Sequence, residues 1–378
     1  MGAKYLTLQK TYLLIHLRIA LSYANIILFE SVLTLNPMTS TTPRSRATGR
    51  VTLADVARAA GVSPITVSRA LRGERAVDAA LVARVQVAVS KLGYVPDPAA
   101  RALASKRSSH VAVLIPMLSN ALFVDLLEAA QSTLRAAGYQ TLMAVTHYNA
   151  SEEEHLLREQ LQHRPAGLLV TGLERSDATR QLIAQSGVPC VHLMEASGSP
   201  GVYSVGFSQV DASAEMTRHL LQKGRRRIAF AGAQLDSRTL QRLGGYQLEM
   251  RKAKLHDAKL EWLNPAPSSL ALGGQMFEQI MAQQPPVDAI FFGNDDLAQG
   301  ALLAALRLKI KVPQKVAIAG FNDLTGSDQM LPPLTTVRTP RAEIGRAAAG
   351  MLLKLMRSEA VAVPGIDVGY QLIPRGST

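Results

Sequence analysis

The chain has 378 residues, 47% of them hydrophobic and 19% charged, which excludes a disordered polymer and allows two or three domains. One cysteine, Cys190, excludes a disulfide framework and any multi-cysteine metal site, and it suits the reducing cytoplasm. Forty-one Lys and Arg against 29 Asp and Glu give a formal +12, so acidic partners are expected, nucleic acid first. The charge is uneven. Residues 1–49 carry +4, residues 50–107 carry +6 and residues 108–378 only +2, so a small basic module precedes a large near-neutral one.

Tyr12 to Leu35 is apolar, but His16, Arg18 and Glu30 interrupt it. The charge-free run from Ile19 to Phe29 falls well short of the ~20 residues a spanning helix needs. Phe29 to Leu33 also lacks the small residues of a signal-peptide cleavage site. Two readings stand for residues 1–49: a helix lying on a membrane surface, or sequence upstream of a working start at Met38. The second is preferred, because Thr39 to Arg50 reads as a Thr/Ser/Pro/Arg-rich leader.

Thr52-Leu53-Ala54-Asp55 forms a capping box with Asp at its fourth position and predicts a short helix ending at Gly61. Ser63-Pro64 restarts the chain as an N-cap followed by proline in the first turn. The second helix, Pro64 to Leu71, sets Val67 and Leu71 on one face and leaves Ile65, Thr66, Ser68 and Arg69, with Arg72 beyond it, for other contacts. Two short helices about a glycine turn make a helix-turn-helix, whose second helix can enter a major groove. A third helix, Asp78 to Leu92, would pack through Leu81, Val85, Ala88 or Val89, and Leu92.

The motifs Val51-Thr52-Leu53-Ala54-Asp55-Val56-Ala57, Gly61-Val62-Ser63, Thr66-Val67-Ser68-Arg69 and Leu92-Gly93-Tyr94-Val95-Pro96-Asp97-Pro98 together resemble the headpiece of the lactose-repressor (LacI/GalR) family. The resemblance runs without a gap to about Arg107. It implies that Thr52, Ser63, Thr66, Ser68 and Arg72 touch phosphate or base edges, with Leu53 and Arg69 on the same DNA-facing surface. It also implies that Pro64 and Ile65 occupy the positions that vary with operator sequence. Ile65 offers only apolar contact, such as to a thymine methyl. Residues 98–108 resemble the family hinge, which becomes helical on operator DNA and wedges a leucine, here Leu103, into the minor groove.

From His110 onward, β-type runs alternate with amphipathic ones. The predicted strands are Val111–Pro116, Gln140–Thr146, Gly167–Thr171, Cys190–Met194, Arg227–Ala231, Ala289–Gly293 and Val316–Gly320. The predicted helices between them include Phe123–Ala136, Glu152–Gln162 and Asp295–Leu308. This alternation reads as βαβ units with parallel sheets. The expected fold class is α/β: an all-α helix-turn-helix headpiece (50–97), a hinge (98–108) and a two-lobed doubly wound domain like periplasmic binding proteins (109–378). The two-lobed arrangement is what the family resemblance implies, and ligands in such sheets sit at the carboxyl ends of strands.

No phosphate-binding, dinucleotide, zinc-protease or nucleophile-elbow motif is present, and His147 and His155 lack a third ligand nearby. No catalytic residue, metal or cofactor is expected. Family pocket positions fall on Phe123, either an aromatic under a sugar face or a core residue, and on Asn294, with Asp295 expected to cap the next helix. They fall also on Arg242, which would reach into the cleft.

Two departures stand out. Relatives that bind neutral sugars usually carry Asp where this chain has Asn322, and Arg238 adds a cation one helical turn before Arg242. The phrases Gly232 to Thr239, Thr339-Pro340-Arg341 and Gly369 to Ser377 resemble the gluconate-utilisation branch of the family. The expectation is a dimeric repressor that binds double-stranded operator DNA under the control of a sugar acid such as gluconate or a keto-gluconate, with no membrane partner. A neutral-sugar or nucleobase effector is the alternative within that class, and a solute-binding transport protein is the alternative outside it.

Overall fold

The structure, a computed structural model, describes residues 50–73, 77–96, 108–118 and 121–378. The extension with Met38, and the hinge apart from Ser108, including Leu103, lie outside the described residues. Two compact units divide the chain between Asp97 and Pro98.

In the first unit, α1 (Leu53–Ala60), α2 (Pro64–Leu71) and α3 (Ala79–Leu92) follow from local signals. The Thr52 hydroxyl accepts from the Asp55 amide while Asp55 returns a bond to the Thr52 amide, which completes the capping box. Gly61 stops α1 in the left-handed region at φ 64°, where a Cβ would be strained. Ser63 caps α2 ahead of Pro64, and Asp78 caps α3. Val56, Val67 and Val85 meet in the buried core. On α3 the packing face includes Val82 rather than the expected Leu81, one position further round the helix.

The second unit holds two parallel sheets. The first combines β1 (His110–Ile115), β2 (Gln140–Val145), β3 (Gly167–Thr171), β4 (Cys190–Met194), β5 (Ser204–Gly206) and β11 (Gly365–Asp367), in the order β11-β5-β4-β3-β1-β2. Helices α4 (Val124–Ala136), α5 (Ala150–Gln162), α6 (Asp177–Ser186) and α11 (Arg341–Met356) flank it. The second sheet runs β7-β6-β8-β9, from β6 (Ile228–Ala233), β7 (Glu261–Asn264), β8 (Ala289–Phe292) and β9 (Ala317–Ala319). Helices α7 (Gln209–Gln222), α8 (Ser237–Lys252), α9 (Leu270–Met281) and α10 (Asp295–Arg307) go with it. A short antiparallel ribbon joins β10 (Thr336–Arg338) to β12 (Gln371–Ile373).

The central strands β6 and β8 read as continuous apolar runs because helices cover both faces, and every residue of each is buried. Strand order reverses between β1 and β3 in one sheet and between β6 and β8 in the other, so each sheet has a switch point where a crevice opens at the carboxyl ends.

Helix α8, which carries the cleft arginines, crosses α7 closely at Gly245. A Cβ there would run into the Val210 carbonyl oxygen. Gly245→Ala is expected to destabilise this unit by about 1–3 kcal/mol through overpacking. The check is the urea midpoint, and an unchanged midpoint would show that the crossing has slack.

Candidate functional site

The headpiece presents the predicted DNA face. Ser63, Pro64 and Ile65 are exposed at the start of α2, and Ile65 is 64% exposed although apolar. The Ser63 hydroxyl accepts from the Thr66 amide at 3.1 Å and lies 2.9 Å from the Thr66 hydroxyl, so the cap fixes both side chains. Thr66 and Ser68 are half-buried, while Arg69 and Arg72 are exposed. Arg72 Nε donates to the Ser68 carbonyl at 3.3 Å. Leu53 is only partly exposed and packs against the headpiece core. One contributor has no local signal: Arg84 reaches from α3 to donate to the Ala60 carbonyl at 2.5 Å, tying down the turn before α2.

In the larger unit, backbone in the left-handed region collects at strand ends. His147 and Tyr148 after β2, Met194 ending β4, Gln234 and Leu235 after β6, and Asn322 after β9 all have positive φ. Such strain clusters at ligand sites because the surrounding fold must over-determine it.

Arg242 is 4% exposed. Its Nε donates to Gln209 Oε1 at 2.9 Å, Nη1 to the Gly293 carbonyl at 2.6 Å and Nη2 to Asn322 Oδ1 at 3.5 Å. The guanidinium lies 3.9 Å from the Phe321 ring centroid. Among the described residues no carboxylate pairs with it, and burial pushes its pKa down to about 10. Guanidinium has five N–H donors, so one proton on each Nη stays available.

Arg238 sits one turn earlier on the same helix, as i, i+4 spacing requires. Its Nη2 donates to Asp236 Oδ2 at 3.0 Å and to the Tyr148 hydroxyl at 3.2 Å. Nη1 is buried and has no hydrogen-bond partner among the described residues. Burial opposes the charges of Arg238 and Asp236, but each holds the other ionised, and Asp236 stays below the ordinary carboxylate range. The second cation is therefore present, already half-neutralised.

Two expectations need correction. Phe123 is a core residue, 1% exposed, whose ring lies 5.7 Å beneath Arg238; Tyr148 is the aromatic that faces the cavity. Asn294, not Asp295, caps α10, its Oδ1 accepting from the Leu297 amide at 3.1 Å and the Ser268 hydroxyl at 3.0 Å. That leaves the Asn294 amide nitrogen for a ligand. Asp295 instead accepts from the Leu324 amide and from the Ser327 and Thr336 hydroxyls, tying α10 to the chain after β9.

Two cavities share Tyr148, Gln234, Asp236 and Arg238. The smaller, about 50 Å³, is lined by Arg242, Asn294, Asp296 and Asn322. The larger, about 530 Å³, adds Glu153, Arg175 and Glu195. Arg175 pairs with Glu153 at 2.7 Å and donates to the carbonyls of Thr171 and Gly172. Burial and then Arg175 push the neighbouring His192 down to about 4, so it is neutral. Burial also pushes the Cys190 thiol up to about 12, which leaves no thiolate nucleophile there. Sequence reasoning missed Tyr148, Glu195 and Asp236, although each lies within three residues of a strand's carboxyl end. Among the described residues no cluster could hold a metal ion, and no helix is long and apolar enough to cross a membrane.

Comparison with known proteins agrees with this division. A family model for bacterial regulatory proteins of the lacI family matches residues 52–97, and one for the periplasmic binding protein-like domain matches residues 217–378. Over 341 residues, 90% of this chain and 99% of the relative, the chain is 51% identical to the HTH-type transcriptional regulator GntR of Pseudomonas aeruginosa. The crystal structure of the transcription regulator GntR from Chromobacterium violaceum covers 71% of this chain and is itself 98% covered, at 47% identity and a TM-score of 0.69. The lac repressor dimer bound to operator and an anti-inducer covers 87% of this chain and is 99% covered, at 25% identity and a TM-score of 0.77.

A buried cation without an anion is unfavourable until a ligand supplies one. Arg242→Met, similar in length but uncharged, is expected to raise the stability of the ligand-free chain by about 1 kcal/mol or more. Thermal unfolding checks this. A clear loss of stability would mean that the bonds to Gln209 and Gly293 outweigh the desolvation of the charge.

Proposed function

Because the chain belongs to the lacI family of bacterial regulatory proteins and is a DNA-binding transcriptional regulator, we propose that it is a dimeric repressor whose operator binding is controlled by a sugar acid. The observation that carries the effector reading is Arg242: a buried guanidinium with free donors and, among the described residues, no carboxylate partner, facing a cavity at two strand ends. A planar carboxylate fits the donor fork of arginine in two parallel bonds. Asn322 keeps hydroxyl-bonding capacity there without adding a like charge, and Arg238, Tyr148 and Asn294 supply further polar contacts. The acceptors Glu195 and Glu153 in the larger cavity suit the hydroxyls of a polyol tail. Gluconate or a keto-gluconate has both ends.

On the DNA side, Thr52, Ser63, Thr66, Ser68, Arg69 and Arg72 would hold phosphates and base edges, and Pro64 and Ile65 would select bases. One short recognition helix reads too few bases alone, which supports a two-fold operator and a dimer, as in the operator-bound lac repressor dimer. Closure of the lobes on the effector would be felt through the hinge, Leu103 included.

Calorimetry on the full chain tests the effector class. Gluconate is expected to bind and glucose to bind at least tenfold more weakly. Arg242→Ala should weaken gluconate by about 2–5 kcal/mol, because the partner charge is left unpaired. Equal binding of glucose and gluconate would overturn the acid reading, and salt-insensitive operator binding would overturn the phosphate contacts.

A further inference from the structure

The α10 start carries two adjacent carboxyls with opposite surroundings. Asp295 is fully buried and saturated by the Leu324 amide and the Ser327 and Thr336 hydroxyls. Asp296, next in the chain, has no hydrogen-bond or ion-pair partner among the described residues, yet it lines the small cavity with Arg242, Asn294 and Asn322. An unpartnered carboxyl at that place is opposed to any anionic ligand. Asp236 is paired with Arg238, so Arg242 is the arginine lining that cavity that has no ion-pair partner among the described residues. A ligand carboxylate and an ionised Asp296 would place two anions in the one small cavity that Arg242 lines.

We propose that Asp296 enters the effector complex as the neutral acid, so that a carboxylate effector is taken up together with one proton. Protonated, the carboxyl becomes a hydrogen-bond donor to an effector oxygen instead of a repelling charge. The proposal rests on the acid reading of the effector. Burial, and then the neighbouring Asp295, push the Asp296 carboxyl up to about 6 before any ligand arrives. An incoming anion raises it further.

The other charged groups facing this cavity keep their states near neutral pH. Asp236 is held ionised, Arg238 and Arg242 stay cationic, and burial raises the Tyr148 phenol. Asp295, packed behind Asp296, is buried away from the cavity and pushed up by burial against its three donors. Among the groups that line this cavity, Asp296 is thus the one whose charge changes on binding between about pH 6 and pH 8. The sign follows from linkage: the complex holds more protons than the free protein, so affinity falls as pH rises above the free pKa, by at most about tenfold per unit for one proton.

The test is calorimetry of gluconate with the full chain, in buffers of different ionisation enthalpy. At pH 7 to 8 the wild type is expected to take up close to one proton per gluconate, and to bind about tenfold or more weakly at pH 8 than at pH 6. Asp296→Asn, isosteric and already neutral, should bind with no proton uptake and a flat pH profile. Uptake near zero in the wild type, or uptake that persists in Asp296→Asn, would overturn the proposal. Failure of gluconate to bind at every pH would overturn the acid reading itself and the proposal with it, a result distinct from binding without a proton.

Discussion

The large unit is organised around a positive charge that the fold buries without an ion-pair partner among the described residues. Arg242 is held over Phe321 and bonded to Gln209, Gly293 and Asn322, all neutral groups. Neutral acceptors satisfy part of the guanidinium but cannot repay the removal of a full charge from water. That deficit makes an anion the natural third component of the site, and it requires every supporting element to be fixed beforehand.

The supports come from the carboxyl ends of strands in the second sheet and from a residue tied to the first. Gly293 closes β8, Asn322 follows β9 in a left-handed conformation, and Gln209 begins α7, its own amide bonded to the Met194 carbonyl at the end of β4. Arg238 reaches the other way, to Tyr148 beyond β2 and over Phe123 at the start of α4. Gln241, on the next turn of α8, bonds Glu195 beyond β4 at 2.5 Å. One face of α8 therefore links the strand ends of both sheets. A ligand that competes for these donors changes how the two sheets are held together, and that is the structural change a regulator needs.

Much of this was legible in the sequence, for local reasons. The headpiece signals lie within four residues of each other: Thr52 with Asp55, Gly61 after α1, Ser63 before Pro64. The spacing of Arg238 and Arg242 put both on one helical face. Other features depend on distant chain. Asn and Asp cap helices about equally well, so nothing local told which of Asn294 and Asp295 would cap α10. Leu324, Ser327 and Thr336 decide it by claiming Asp295. The pairing of Asp236 with Arg238 depends on the turn at Leu235, and the bond from Tyr148 to Arg238 joins residues 90 apart in the chain. Strands β5, β10, β11 and β12 have three residues each, too few for an alternation to show.

The direct test of a carboxylate at the buried cation is a crystal structure of the full chain with gluconate bound. The account predicts both carboxylate oxygens within about 2.7–2.9 Å of the Arg242 Nη atoms, with the hydroxyl tail running toward Glu195. A carboxylate seated on the Arg175 side of the cleft, with only hydroxyls at Arg242, would contradict it.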